Sequence, residues 1–240
     1  MKILQKKLNH YRHLLFIDLE GTQLSHELIA FGVIKATLNA DGTILRSYKG
    51  LKKYVIAHNP IGHIVTKLTG IKQETLNNEG ISYQKALLAI KNYCGNQFKK
   101  MKFITFGNHD LRILNQSLIY NVEADEDIVK QINKNHIDLS LMISQYIKDE
   151  KNNPLSLVNN LKVFSLPFNG THHDPLNDAF NLMALYKSCF SQKDVIYESY
   201  LKVLHQMKHL PKPIDVILNK LLSGEDVSSD QFQKLVKDSI

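Results

Sequence analysis

The stretch FIDLEGT, residues 16–22, determines the fold that we expect for this chain. It places two carboxylates, Asp18 and Glu20, at the end of an apolar run. In a β-strand, residues two apart point to the same face, so these acids would lie side by side while Ile17 and Leu19 face the other way. Apolar residues on both faces are typical of a central strand of a sheet.

Two like charges in such a strand need a physical reason. Carboxylates held this close repel each other, and the repulsion raises their pKa values unless a cation lies between them. Magnesium and manganese prefer oxygen ligands, so a divalent cation is the best candidate for a partner of Asp18 and Glu20. The alternative is a solvent-facing edge strand that carries two ordinary surface acids.

The composition is that of a globular protein with one sizeable core. The chain has 240 residues, 43% of them hydrophobic, which suffices for one domain with an extension. The basic N-terminal segment is followed by too short an apolar stretch for a signal peptide, and no window approaches the roughly 18 apolar residues of a membrane span. Cys94 and Cys189 have no CxxC partner, which fits a reducing cytoplasm.

The formal net charge of +7 favours a polyanionic partner, such as nucleic acid or an acidic membrane surface. An excess of lysine on a solvated surface explains the same charge. The charge therefore becomes informative only together with a motif.

The order of the predicted elements indicates an α/β fold. Apolar runs at 14–19, 27–38 and 44–52 predict three strands in meander order. Helical patterns then alternate with strand candidates, of which residues 101–107 (MKFITFG) are the clearest, and a later helix is predicted to begin at Pro154. Strands that first form a meander and then alternate with helices predict a mixed sheet flanked by helices.

The C-terminal part is predicted to be helical only. Its apolar residues recur at helical spacing, and Pro211 and Pro213 mark a break between its helices. We therefore divide the chain into a domain of residues 1–190 and a C-terminal helical extension of residues 191–240.

Asp110 is a second candidate for the chemistry of the acid pair. It follows the strand at 101–107 and opens the helical pattern HDLRILNQSLIY. The ends of such strands are where α/β sheets commonly open their functional crevices. Asp is also a common helix N-cap, and this structural role explains Asp110 when it is considered alone.

The segment THHDPLNDAFNL, residues 171–182, is the third candidate. Pro175 is expected in the first turn of a helix, with His173 on the loop before it and Asp178 inside it. The histidine and the carboxylate can then reach the same site. The alternative is that Asp174 caps the helix and the histidines belong to the surface.

Together, these segments resemble the DEDDh branch of the DnaQ-like 3′-5′ exonucleases, which have a ribonuclease H-like fold. The D-x-E motif of that family matches Asp18 and Glu20, its second motif matches Asp110, and its H-x-x-x-x-D motif matches His173 and Asp178. The order and approximate separations agree over most of the chain. The wording of the first and third motifs is nearest the branch with KapD-like and histone-mRNA 3′ exonucleases.

The resemblance implies a metal-dependent 3′-5′ exonuclease with two Mg²⁺ or Mn²⁺ ions. Its substrates would be the 3′ ends of single-stranded RNA or DNA, with RNA favoured, and its products nucleoside 5′-monophosphates. His173 would take a proton from the attacking water, a role that suits an imidazole near neutral pH. His172 is expected to be structural or to face the substrate. The four acids of the motifs would hold the metals: Asp18, Glu20, Asp110 and Asp178.

The terminal nucleotide is expected beside the acids. Its predicted contacts are backbone amides after Glu20 and nearby side chains, and the residues concerned are Gly21, Thr22, Leu68 and Ile71. Lysines would follow the phosphates. Four of them in the extension would enlarge a basic surface, unless they only line a solvated helix face: Lys202, Lys208, Lys212 and Lys220.

Two other functions stay open. The chain is then either a non-catalytic nucleic-acid-binding module or a proofreading accessory subunit that docks a polymerase through its extension. The complete set of acids and histidine argues against the first, because a binding module does not need a general base beside metal ligands. The sequence names no protein partner.

Overall fold

The computed structural model describes residues 1–207 and 210–239. The strands are β1 His13–Gly21, β2 Leu28–Leu38, β3 Ile44–Ser47, β4 Leu51–Tyr54, β5 Met101–Thr105 and β6 His136–Asp138. The helices are α1 Lys2–Leu8, α2 His63–Thr69, α3 Gln73–Glu79, α4 Tyr83–Cys94, α5 His109–Tyr120, α6 Glu126–Lys134, α7 Leu139–Ile143, α8 Leu157–Val163, α9 Pro175–Ser191, α10 Lys193–His205, α11 Lys212–Leu222 and α12 Ser229–Lys237. Lys208, one of the lysines predicted to enlarge a basic surface, lies outside the described residues.

The six strands form one mixed sheet. Its order is β3-β2-β1-β5-β6, and β4 also pairs with β2. Strands β1, β2 and β3 pair antiparallel in the predicted meander, whereas β5 pairs parallel with β1 and β6 parallel with β5. The predicted mixed α/β sheet is confirmed, and β1 is its central strand.

The alternation of side chains along β1 separates two hydrophobic cores. Phe16 belongs to the cluster that includes residues of α8 and α9, whereas Leu15 and Ile17 belong to the cluster under α4, α5 and α6. The sheet therefore lies between two helical layers. Asp18 and Glu20 continue the face of Phe16, so they point toward the layer that contains α9, as their spacing predicts.

Several elements were left unassigned by the apolar pattern of the sequence. They include α1, whose only buried residues are Leu4 and Leu8, and α6, which begins after the N-cap Asp125. The third predicted strand is in fact two short strands, β3 and β4, separated by residues 48–50. Each of these helices and strands is too short for its apolar residues to recur several times at helical or strand spacing.

The helix predicted to begin at Pro154 begins at Leu157 instead, so that prediction is wrong. Ser156 is the N-cap, and its hydroxyl accepts a hydrogen bond from the Asn159 amide at 3.3 Å. Pro154 forms an isolated antiparallel bridge with Lys148. A serine hydroxyl satisfies a free amide at the start of a helix, which a proline cannot do.

The C-terminal region is helical, and Pro211 is the N-cap of α11 after the break. Ile196 and Val203 of α10 are buried, whereas α11 and α12 contain no buried residue. No helix within residues 1–207 and 210–239 combines the length and apolar character that crossing a membrane requires.

Candidate active site

Two carboxylates of the site come from β1. Asp18 and Glu20 are partly buried, with 15% of the Glu20 side chain exposed. Asp18 pairs across the sheet with Gly32 of β2, and the register shifts just after Glu20. A paired strand in the middle of a sheet holds both carboxylates rigidly, because neither backbone segment can move without breaking ladder hydrogen bonds.

The third carboxylate, Asp110, arrives from the neighbouring parallel strand. β5 ends at Thr105, Gly107 turns the chain with a positive φ of 98°, and α5 begins at His109. Asp110 is 6% exposed, and its Oδ1 accepts a hydrogen bond from the Leu19 amide at 2.8 Å. The carboxyl ends of parallel strands meet at one edge of the sheet, so Asp110 lies against the acids of β1.

The fourth carboxylate and the histidine come from the start of α9. Asp178 Oδ2 accepts a hydrogen bond from the His173 amide at 3.0 Å. The His173 Nδ1 atom lies 3.9 Å from Glu20 Oε1, and 49% of its side chain is exposed. One ligand atom each of Glu20, His173 and Asp178 lies within 4.8 Å of the other two. The structure thus brings together all five predicted motif residues.

Burial and mutual repulsion raise the pKa values of the four carboxylates in this cluster. Burial raises the pKa of Glu20 to about 8, with further repulsion from Asp178 and Asp110. Burial raises the pKa of Asp110 to about 7, although the Leu19 amide opposes the shift. The pKa of Asp18 is raised strongly, and that of Asp178 is also raised, in both cases first by burial. A cation bound among these groups would remove the repulsion.

The donor set fits a hard divalent metal ion. Four carboxylates supply oxygen ligands, which Mg²⁺ and Mn²⁺ prefer, and none of the groups at the site is a thiolate. The raised pKa values of Glu20 and Asp110 give the same indication, because crowded acids without a cation are costly to ionise. The four acids would hold the ions, and His173 lies beside them.

Two of the four predicted substrate contacts have buried side chains. Thr22 is 1% exposed, and its Oγ1 accepts a hydrogen bond from the Glu27 amide at 2.9 Å. Its own amide donates to the Glu27 carbonyl, and the Gln23 amide donates to the Ile61 carbonyl. Thr22 therefore closes the turn between β1 and β2, and neither of these amides is free to bind a nucleotide as predicted.

The other predicted contacts differ in exposure. Ile71 is 5% exposed and packs in a small core with Ile61, so its side chain is not available to a base. Leu68, on α2, is 53% exposed. Gly21 lies at the end of β1, where a Cβ atom would approach the Ile113 side chain to 2.9 Å. Contact of Leu68 and Gly21 with substrate stays a prediction.

Sequence reasoning missed Lys52, which lies next to the site. Its Nζ atom is 2.6 Å from Asp174 Oδ2, and its charge lowers the pKa of Glu20 slightly against the larger effect of burial. Asp174 caps α9, as the structural alternative held, with Oδ1 accepting from the amides of Leu176 and Asn177. No motif signals Lys52, because only strand pairing brings β4 beside the site.

The sequence model of the exonuclease family (RNase_T) matches residues 15–186, which include all five motif residues. The match covers well over half of the chain, so the chain belongs to this exonuclease family. The resemblance to DnaQ-like exonucleases stated from the motifs is confirmed at this level. No curated protein matches the chain.

Solved structures confirm the ribonuclease H-like fold at low sequence identity. A full-length 3′-exonuclease has a TM-score of 0.61 and 16% identity, with 77% of this chain and 62% of that chain covered. The nuclease domain of 3′hExo, a DEDDh family member bound to rAMP, has a TM-score of 0.61 and 17% identity. The alignment covers 77% of this chain and 94% of that domain. E. coli exonuclease I in complex with a dT13 oligonucleotide has a TM-score of 0.59 and 17% identity. The alignment covers 82% of this chain and 45% of that chain. This chain thus spans less than two thirds of the first and third of these proteins.

Proposed function

We propose that this protein is a metal-dependent 3′-5′ exonuclease that hydrolyses single-stranded nucleic acid, RNA in preference to DNA, and releases nucleoside 5′-monophosphates. The observation that carries the proposal is the convergence of the acids of β1, α5 and α9 with His173 at one edge of the sheet. Membership of the exonuclease family supports the reaction class.

The acids would hold two Mg²⁺ or Mn²⁺ ions through Asp18, Glu20, Asp110 and Asp178. When bound, such ions lower the pKa of a coordinated water and stabilise charge on the phosphate and the leaving 3′ oxygen. The chain itself supplies rigidity, because the Leu19 amide fixes Asp110 and the His173 amide fixes Asp178. Fixed carboxylates do not have to reorganise when the substrate arrives.

His173 would accept the proton of the attacking water. Its Nδ1 atom faces the carboxylates in this structure, and half of the side chain is exposed. An imidazole at the rim of the site can take a proton on the side of the acids and release it to solvent. The neighbouring His172 packs against the Phe168 ring, with centroids 3.8 Å apart, which supports a structural role for it.

The proposed preference for RNA rests on the sequences of the first and third motifs. The 3′-terminal base would lie between the end of β1, at Gly21, and Leu68 of α2. The likeness of the first and third motifs to the KapD-like and histone-mRNA branch supports RNA. Similar structures include both a 3′-exonuclease that recognises a histone mRNA stem-loop and exonuclease I with a dT13 oligonucleotide, so fold similarity favours neither RNA nor DNA.

We also propose that residues 1–190 form the catalytic domain and residues 191–240 the helical extension, and that the protein acts in the cytoplasm. The family match ends at residue 186, near the proposed boundary. Cys94 and Cys189 are both buried and unpaired, which supports a reducing compartment.

The experiment that tests this function follows the degradation of 5′-labelled single-stranded RNA and DNA of one sequence, with Mg²⁺, with Mn²⁺ and with a chelator. We expect a ladder that shortens from the 3′ end, stops with the chelator and runs faster on RNA. A 3′-phosphorothioate end should delay the ladder, and mass spectrometry should identify nucleoside 5′-monophosphates.

The matched control is Asp18→Asn, which removes one charge and keeps the shape of the side chain. If both oligonucleotides are bound but stay intact with every metal, the chain is a binding module instead. Faster degradation of DNA would overturn the RNA preference alone, and cleavage from the 5′ end would overturn the polarity.

A further inference from the structure

His173 lies on a loop whose backbone belongs to neither a helix nor a strand. His173 has a positive φ of 59°, which is uncommon for a residue with a side chain. Its segment, residues 169–174, precedes α9 and is largely exposed. Such a conformation persists only when surrounding contacts determine it. The contacts of this loop therefore decide where the imidazole lies.

One set of contacts ties the loop to its own helix. Buried Asn181 accepts from the Asn169 amide at 3.0 Å and donates to the Asn169 carbonyl at 2.9 Å. Asp178 accepts from the His173 amide, and Asp174 caps the helix. These bonds all join the loop to α9. They fix the shape of the segment but not its position over the sheet.

A second set of contacts fixes α9 on the sheet. Gly32 lies between Asp18 on β1 and Lys52 on β4 in the strand pairing, so Asp18, Gly32 and Lys52 form one row across the sheet. A Cβ atom at Gly32 would lie 2.1 Å from the Pro175 carbonyl, which shows how closely the first turn of α9 approaches. Residues directly opposite each other project to the same face, so Lys52 shares the face of Asp18.

Lys52 closes this arrangement with an ion pair. Its Nζ atom lies 2.6 Å from Asp174 Oδ2, a contact between residues 122 positions apart. Both side chains are about three quarters buried, with 25% and 28% exposed. Four salt bridges between a lysine and a carboxylate occur among the described residues. Of these, only the Lys52–Asp174 pair joins the sheet to the His173 segment.

We propose that Lys52 is a positioning residue for His173, which it holds over the acids by anchoring the adjacent Asp174 to β4. The proposal rests on the exonuclease function proposed above. Asp174 uses one carboxylate oxygen for the helix cap and the other for Lys52. One side chain therefore couples the start of α9 to the sheet and sets the place of its neighbour, His173.

The charge of Lys52 has a second effect on the same site. Asp174 adds a fifth carboxylate at the start of α9, four residues before Asp178. With Lys52 removed, that carboxylate would lose its counter-ion and repel Glu20 and Asp178. The His173 segment would then be pushed away from the acids that it has to face.

The test uses the full-length protein with Lys52→Met, which keeps the aliphatic stem and removes the charge. We expect kcat for a labelled single-stranded oligonucleotide to fall about 10-fold, as is typical when a second-layer partner is lost, while KM stays unchanged. Lys52→Arg should restore most of kcat. The control is Lys53→Met, the same substitution on the exposed neighbour in β4, which should leave kcat and KM unchanged.

A second variant tests the pathway through Asp174. Asp174→Ser keeps an N-cap oxygen but removes the ion pair. It should lower kcat less than Lys52→Met does, because it leaves no unpaired carboxylate beside Glu20 and Asp178. The double variant should lower kcat no further than Lys52→Met, because both changes break one interaction. Losses that multiply in the double variant would overturn the proposal.

An NMR measurement that needs no turnover tests the positioning role of Lys52 separately from the proposed exonuclease activity. In metal-free protein, the imidazole NMR signal of His173, assigned by its loss in His173→Ala, should shift in Lys52→Met and not in Lys53→Met. An unchanged signal with unchanged kcat would overturn the positioning role. A rise in KM at unchanged kcat would show instead that Lys52 binds substrate. An inactive wild type with the shifted signal would overturn the exonuclease function and leave the structural anchor in place.

Discussion

The two halves of the site are built in different ways. Asp18 and Glu20 lie on the central strand of the sheet, and Asp110 is bound to that strand through the Leu19 amide. His173 lies on an exposed loop with a positive φ, held by side chains of α9 and by the Lys52–Asp174 pair. A rigid strand can hold crowded charges in place, whereas a loop depends on each of its contacts.

This difference separates the roles that we assign. Metal ligands need fixed distances, which strand pairing provides before any metal binds. A proton acceptor needs contact with both the site and solvent, which a half-exposed loop residue provides. We therefore expect changes in the strand half to cause the largest losses of activity, and changes in the loop half to lower the rate less while metal binding persists.

The largest effect is expected for Asp18→Asn. The loss of a metal ligand removes several kcal/mol of transition-state stabilisation, about 4 kcal/mol or roughly 1000-fold in rate. The measurement is kcat/KM on single-stranded RNA with Mg²⁺. Metal-free Asp18→Asn should unfold at the same or a higher temperature than the wild type, because the change removes a buried charge and its repulsion by the neighbouring acids. A large loss of metal-free stability would contradict our placement of the site.

The next largest effect is expected for His173→Ala. Loss of a general base lowers the rate at least about 100-fold. Binding of Mn²⁺, followed by calorimetry, should be nearly unchanged, because the ligands on β1 and α5 are intact. Equal losses of metal affinity and rate would place His173 among the ligands rather than in the proton-accepting role.

The stability of the metal-free protein should fall as the pH rises from about 5 to 8. Glu20 and Asp110 have folded-state pKa values raised to about 8 and about 7, so the folded protein binds more protons than the unfolded chain in this range. Each pKa unit corresponds to about 1.4 kcal/mol, and each kcal/mol shifts Tm by roughly 2–4 °C in a chain of this size.

Thermal melts at pH 5 and pH 8, with and without Mg²⁺, test this dependence. Mg²⁺ should raise Tm more at pH 8, where the ligands ionise more readily. In the Asp18→Asn variant the fall of Tm with pH should be smaller. A metal-free Tm that rises between pH 5 and 8 would show that the cluster does not dominate this part of the stability curve.

The smallest effects are expected where α9 rests on the sheet. Gly32→Ala would set a Cβ atom 2.1 Å from the Pro175 backbone, which cannot give way without moving α9, so we expect a loss of about 1–3 kcal/mol. At Gly50 the nearest atom is the end of the Leu176 side chain, 2.4 Å from the added Cβ, and that side chain can rotate. Gly50→Ala should therefore cost less in urea unfolding, and the reverse order would show that α9 moves easily.

The sequence predicted the residues of the site but not what holds them. The acid pair of β1, the residues His173 and Asp178, and the alternative cap at Asp174 followed from local spacing, whereas Asp110 joined the set only through the resemblance to the DEDDh exonucleases. Lys52 was not, because it reaches Asp174 only through the pairing of β4 with β2.

Two of the misjudged positions have a similar cause. Thr22 and Ile71 follow or flank motifs that suggest a nucleotide pocket, yet tertiary packing buries both. The helix expected at Pro154 begins instead after Ser156, where a side-chain cap was available. The exposure of Thr22 and Ile71 depended on partners elsewhere in the chain, whereas the helix boundary followed from a local cap.

By itself, the sequence predicted the α/β class and the central acidic strand, because strand alternation and helix starts are local properties of the chain, and the resemblance to the DEDDh exonucleases supplied the set of five motif residues. Tertiary structure alone decided that Asp110 bonds to the Leu19 amide, that Gly32 admits the start of α9, and that Lys52 anchors the loop of His173. These contacts join residues far apart in sequence, and their geometry follows only from how the sheet and its helices pack.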